Sequence, residues 1–116
     1  MVKLASHALL NMQSSPEGDV VWAIAYQKDF KRFGAKMSDA DTVADDLRSV
    51  EGSKIAAVFR ETEKGNFRVS LRSKHGINVA VVAKEFGGGG HHNSAGCGIK
   101  PSQKKKLLES LQSLIR

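Results

Sequence analysis

The sequence predicts one α/β (α+β) domain over residues 1–116: a mixed sheet of about four strands flanked by helices, with a glycine-rich loop opening at one edge. Helical and strand-like periodicities alternate along the chain, the pattern of a sheet covered by helices. Turn-forming clusters fall between the periodic segments, and neither an internal repeat nor a long linker divides them. A hydrophobic content of 41% is enough for a single core at this length.

From the N-terminus, Leu4, Ala8 and Met12 lie four apart with Ala5 and Leu9 beside them, which predicts a helix over 3–13. The stretch Ser14 to Gly18, with Pro16 inside it, breaks that helix. Val20–Tyr26 is a continuous apolar run of strand length and reads as a central strand covered on both faces. Lys28 to Phe33 makes a short helical turn closed by Gly34. Ser38-Asp-Ala-Asp41 reads as a capping box for a helix whose buried stripe is Ala40, Val43, Ala44, Leu47 and Val50, ended by Gly52. The acidic run Asp39, Asp41, Asp45 and Asp46 either holds a metal or simply complements the helix dipole.

Lys54–Arg60 is the second strand, Glu63 to Asn66 a turn, and Phe67–Arg72 the third strand. This third strand alternates: Phe67, Val69 and Leu71 face one way, Arg68, Ser70 and Arg72 the other. Val79, Val82, Ala83 and Phe86 then mark a helix with Asn78 as its cap. Gly96–Ile99 suits a short last strand. Pro101 and Ser102 open a final helix with Leu107, Leu108, Leu111, Leu114 and Ile115 on its core face. Lys104, Lys105 and Lys106 crowd the positive end of that helix, as a solvated first turn or as the seat of a surface anion.

Eighteen Lys and Arg against twelve Asp and Glu give a net charge of +6, which favours polyanionic partners, nucleic acid first. The single cysteine, Cys97, allows neither an internal disulfide nor a cysteine cage for a metal. No apolar run approaches the ~18 residues that span a bilayer. The polar start from Met1 to His7 is unlike a signal peptide. A cytoplasmic location without membrane partners is the expectation.

The stretch EFGGGGHHNSAGCGI, residues 85–99, is the most irregular part of the chain. One glycine would close the preceding helix, and this run has four. Consecutive glycines can turn main-chain amides into an anion-binding nest with His91 at its lip. They can equally permit a tight crossing in which His91 caps a backbone group. A P-loop is excluded because Gly90 is followed by His91 rather than Lys, and the dinucleotide fingerprint fails at His92 and Asn93. His91 and His92 point apart as neighbours and lack nearby ligands to complete a metal site.

VSLRSK followed by INVAVVAKEFGGGGHHNSAGCGI resembles the C-terminal, DHH-associated substrate-binding domain of the DHH-family phosphoesterases, of the nanoRNase and phosphoadenosine-phosphate phosphatase type. FKRFGAK, LRSVEGSKIAAVFRE and the final Leu-rich helix fall in the order that family uses, so the resemblance covers nearly the whole chain. It implies a lobe that grips a nucleotide or a short single-stranded RNA or DNA. Gly88, Gly89, Gly90 and His91 match the family's nucleotide-contacting loop, Arg72 and Ser73 its Arg-Ser pair, and Ala95 and Gly96 the small residues beneath the ligand. Ser94 stands where alanine is common.

The resemblance also implies a partner lobe with an Asp-His-His motif that holds divalent metals, usually manganese. That motif is not in this chain, because His91-His92 follows a glycine. The expectation is therefore a binding lobe with no cofactor and no catalysis of its own, taken from a metal-dependent parent phosphoesterase. Two-metal chemistry needs a cluster of acidic and histidine ligands that these residues do not supply. Arg68 and Arg60 are candidates to widen a positive cleft. Trp22 and Tyr26, read as buried, leave little for base stacking. The alternative is a structural or partner-docking domain without a ligand.

Overall fold

The computed structural model describes residues 3–115; Met1 and Val2, part of the start read against a signal peptide, and Arg116 lie outside the described residues. In chain order the elements are α1 (Lys3–Leu10), β1 (Gln13–Ser14), β2 (Val20–Ala25), α2 (Gln27–Phe33), α3 (Asp39–Arg48), β3 (Ile55–Glu61) and β4 (Phe67–Ser73). They continue with α4 (Ala80–Glu85), β5 (Gly89–His91), β6 (Ser94–Ile99), a 3₁₀ turn (Pro101–Gln103) and α5 (Lys104–Ser113). The sheet has six strands in the order β1-β2-β3-β4-β6-β5. It is mixed: β2 and β3 run parallel and every other neighbouring pair antiparallel. The α+β class matches expectation, and the extra strands are the two short edges, β1 and β5.

Two apolar layers sandwich the sheet. On the first face Val20, Ile55, Phe59, Val69, Leu71 and Cys97 pack with α4 and α5. On the second, Val21, Ala23, Ala56 and Val58 pack with α1, α2 and α3. β3 is buried at every position from Ile55 to Phe59, so it reads as an unbroken apolar run rather than an alternating one. β2 is similar, flanked by β1 and β3. Tyr26 lies beyond β2 as the N-cap of α2 and is 39% exposed, not buried as expected.

The element ends follow local chemistry. Gly34 takes the left-handed conformation, φ 61°, that closes α2. Asn78 caps α4 by accepting a hydrogen bond from the Ala80 amide at 3.0 Å. Ser38 makes no side-chain cap, contrary to the expected capping box; the Asp39 carboxylate instead reaches back to the Lys36 amide at 2.8 Å. A turn bonded from Lys36 to Asp39 precedes the helix, and the cap forms on that turn. α3 stops at Arg48, so Val50 lies beyond it, and Gly52 turns the chain at φ 85°. α1 stops at Leu10, where the Asn11 side chain donates to the His7 carbonyl at 2.8 Å, and Met12 faces solvent instead of the core.

Candidate functional site

The register of the sheet brings distant residues of the second face into rows. Arg72 pairs with Ser94, and Ser94 with His91. One step along, Ser70 pairs with Gly96, and Gly96 with Gly89. In the next row Arg60 pairs with Arg68, and Arg68 with Gly98. Residues directly opposite in an antiparallel pair share a face, so these rows lie side by side. Helices α1 to α3 pack on β2, β3 and β4. The second face of β6 and β5 carries glycines instead of apolar side chains. The result is an open, glycine-paved strip of main chain bordered by Arg72, His91 and Arg68.

The four glycines divide by role. Gly87, at φ 84°, ends α4 and donates to the Lys84 carbonyl at 3.0 Å. Gly88 donates to the Ala83 carbonyl at 2.7 Å, and a Cβ on it would stand 2.1 Å from the Gly96 carbonyl oxygen and 2.7 Å from Cys97 Cα. Gly90, at φ 137°, would place a Cβ 2.6 Å from Ala95 Cα. Both are close-approach positions where the chain crosses β6. At Gly89 a Cβ would meet nothing within 4 Å, so that position is open ground. Gly89 and Gly90 open the edge strand β5, bonded to β6, which is closer to the tight crossing than to the free nest of amides that the composition left open.

Arg72 is 12% exposed and already engaged. Its Nε donates to Asp45 Oδ1 at 3.0 Å, Nη1 donates to the Leu71 carbonyl at 3.0 Å, and Nη2 lies 3.8 Å from Asp41 Oδ1. The acidic start of α3 is thus turned toward the guanidinium, and Ser70 Oγ donates to Asp41 as well at 3.3 Å. Among the described residues no three His, Cys, Asp or Glu side chains gather as metal ligands.

The other expected residues lie apart from the strip. Ser73 is buried and donates to the Ile77 carbonyl at 2.6 Å and to the His92 carbonyl at 3.2 Å. The His92 carbonyl also accepts from the Val79 amide at 2.8 Å, so the tip of the β5–β6 hairpin is pinned to the start of α4. Ser73→Ala is expected to cost about 1–2 kcal/mol by taking the buried hydroxyl donor from the Ile77 carbonyl. A thermal melt checks it. Ala95 faces the apolar layer of α4 rather than the strip. Arg60 is half-buried, with Nη1 donating to the Met37 carbonyl at 3.1 Å.

The strip also holds Gly98, not singled out from the sequence, together with Ser70 and Ser94, which the sequence marked only as part of a strand face and as a departure from the family's alanine. In Ser94-Ala-Gly-Cys-Gly-Ile99 the small residues alternate with Ala95, Cys97 and Ile99, a period of two that marks one bare face. Arg68 lies across Gly98, whose added Cβ would come within 3.0 Å of its Nη1. Cys97 is buried on the opposite face; burial pushes its thiol pKa up, and the charge of Arg68 acts weakly against that.

A family model described as the DHHA1 domain matches residues 18–116. The chain is 33% identical over 78 residues to the bifunctional oligoribonuclease and PAP phosphatase NrnA of Thermus thermophilus, a match covering 67% of this chain and 24% of that protein. It is 31% identical over 100 residues to the protein of the same name from Mycoplasma genitalium, covering 86% of this chain and 30% of that one. The chain therefore spans about a quarter to a third of the length of these relatives. Among solved structures, an exopolyphosphatase-related protein from Bacteroides fragilis shares the fold with a TM-score of 0.83 at 21% identity, over 95% of this chain and 33% of that one. The C-Ala domain of the Aquifex aeolicus alanyl-tRNA synthetase shares it with a TM-score of 0.64 at 16% identity, over 89% and 97% of the two chains. The matched span runs from the turn before β2 to the end of α5, taking in every strand of the glycine-paved face, and this chain belongs to the DHHA1 domain family.

Proposed function

We propose that this domain is the nucleotide-gripping lobe of an NrnA-type DHH phosphoesterase, holding a nucleotide or short oligoribonucleotide for catalytic machinery carried elsewhere in a longer protein. One observation supports this above the rest: Arg72, Ser94 and His91 stand in a single cross-strand row beside bare main chain at Gly96 and Gly89. Glycine at both positions lets a ligand reach the backbone, while the row supplies a guanidinium, a hydroxyl and an imidazole for phosphate oxygens. The names of the Thermus and Mycoplasma relatives, an oligoribonuclease and PAP phosphatase, accord with such a ligand. Hydrolysis and its metals belong to the partner lobe in this reading.

Arg72→Ala and His91→Ala are each expected to weaken binding of a short RNA by about 1–3 kcal/mol without unfolding the domain. NMR titration of the chain with a dinucleotide measures this. Unchanged affinity in both variants would favour the partner-docking alternative. With one or two phosphates contacted, a tenfold rise in salt should cost roughly fivefold to twenty-five-fold in affinity.

Asp45 competes for the guanidinium that the phosphate needs. Asp45→Asn is expected to tighten binding by roughly fivefold, about 1 kcal/mol for removing a unit charge near the ligand in water. Weaker binding in that variant would mean that Asp45 serves to orient Arg72 instead.

A further inference from the structure

The bare face of β6 continues past the end of β5. Pairing with β5 covers β6 only from Ser94 to Gly96, while β6 runs on through Gly98 to Ile99. Gly98 is exposed, and beside it a cavity of about 630 Å³ opens between the end of β6 and the β3–β4 turn. That volume falls within the roughly 300–1,000 Å³ of small-ligand sites. Gly98 belongs both to the strip and to the cavity wall, so the two are continuous.

Three cations line the cavity from three separate parts of the chain: Lys64 in the turn, Arg68 on β4 and Lys100 after β6. Glu63 is the single carboxylate on the wall. All three cations are exposed, and no ion pair among the described residues engages any of them. Arg68 stands at the junction, its Nη1 3.0 Å from the place of a Cβ on Gly98. Its guanidinium is therefore an unclaimed planar fork for a phosphate, whereas that of Arg72 is held by Asp41 and Asp45. The two arginines lie four residues apart along β4, about 13 Å, too far for one phosphate group to serve both.

We propose that this cavity is a further phosphate subsite, formed by Arg68, Lys64 and Lys100, for the continuation of an RNA strand that begins in the row of Arg72 and His91. The proposal rests on the reading of the strip as a nucleotide site. It makes the preferred ligand an oligoribonucleotide of three or more residues, not a dinucleotide or a nucleotide bisphosphate. A basic groove that follows the backbone in this way gains affinity with strand length and is tolerant of sequence.

The whole chain is titrated with diadenylate and with tetraadenylate RNA at several salt concentrations, following backbone amides by NMR. Tetraadenylate is expected to bind at least tenfold tighter, and it alone should shift the amides of Lys64, Gly98 and Lys100. Its log–log salt dependence should be steeper by roughly 1.4, about 0.7 for each of two more phosphates. The double variant Lys64→Gln, Lys100→Gln should bring tetraadenylate to within threefold of diadenylate and leave diadenylate unchanged. Lys28→Gln with Arg32→Gln removes the same charge beside Gln13 and Trp22, at the opposite edge of the sheet, and should keep the tenfold advantage. The proposal is overturned if the two RNAs bind equally, or if the advantage stays above threefold without Lys64 and Lys100. Equal loss of the advantage in the Lys28, Arg32 variant overturns it as well, since net charge alone would then explain the gain. In each of these cases diadenylate still binds and the strip keeps its role; failure of both RNAs to bind removes the strip's role and this subsite together.

Discussion

Gly88→Ala is expected to destabilise the domain by about 2–3 kcal/mol, the upper part of what overpacking costs. The added methyl would stand 2.1 Å from the Gly96 carbonyl oxygen and 2.7 Å from the Cα and Cβ of Cys97, and two of those three atoms are rigid main chain. Neither can give way without displacing β6, which is bonded to β4 on its other side. At this chain length the loss corresponds to a fall of roughly 10 °C in Tm. A melt within a degree or two of the parent would show that Gly88 does not approach β6 as closely as described.

One residue along, the opposite outcome is expected. Gly89→Val should leave the melt within a few degrees of the parent, because a Cβ there meets nothing within 4 Å and its φ is outside the left-handed region. A β-branched residue also suits a strand. Nucleotide affinity should nevertheless fall at least tenfold, about 1.4 kcal/mol or more, since the isopropyl group occupies the paved strip next to Gly96. Paired titrations and melts of the two variants separate folding from binding at adjacent positions. Full affinity in a folded Gly89→Val protein would remove the strip from consideration as the ligand's floor.

Much of this arrangement is legible in the sequence, for reasons that differ by element. β3 declares itself by an unbroken apolar run, β4 by alternation, α3 by the stripe Ala40, Val43, Ala44 and Leu47. β1 and β5 do not, because a two-residue strand and a three-residue strand have no period to read. Gly89 and Gly90 also carry no β propensity; what makes them a strand is the partner β6. The family resemblance offers candidate residues for the site, but not their separate duties. Gly88 and Gly90 pack against β6 while Gly89 does not, and that division depends on which way each residue faces across the crossing. The pairing of Arg72 with Asp41 and Asp45 is equally hidden, since it depends on where α3 lies over the sheet.

The mixed strand order has a consequence for how the chain assembles. The single parallel pair, β2 with β3, closes only after α2, α3 and their loops have been threaded between Ala25 and Ile55. β3 with β4 and β5 with β6 are hairpins whose turns are short. Short closures cost less chain entropy than long ones and come earlier in time. The half that carries the glycine-paved face is thus expected to form first, with the N-terminal segment docking onto it afterwards.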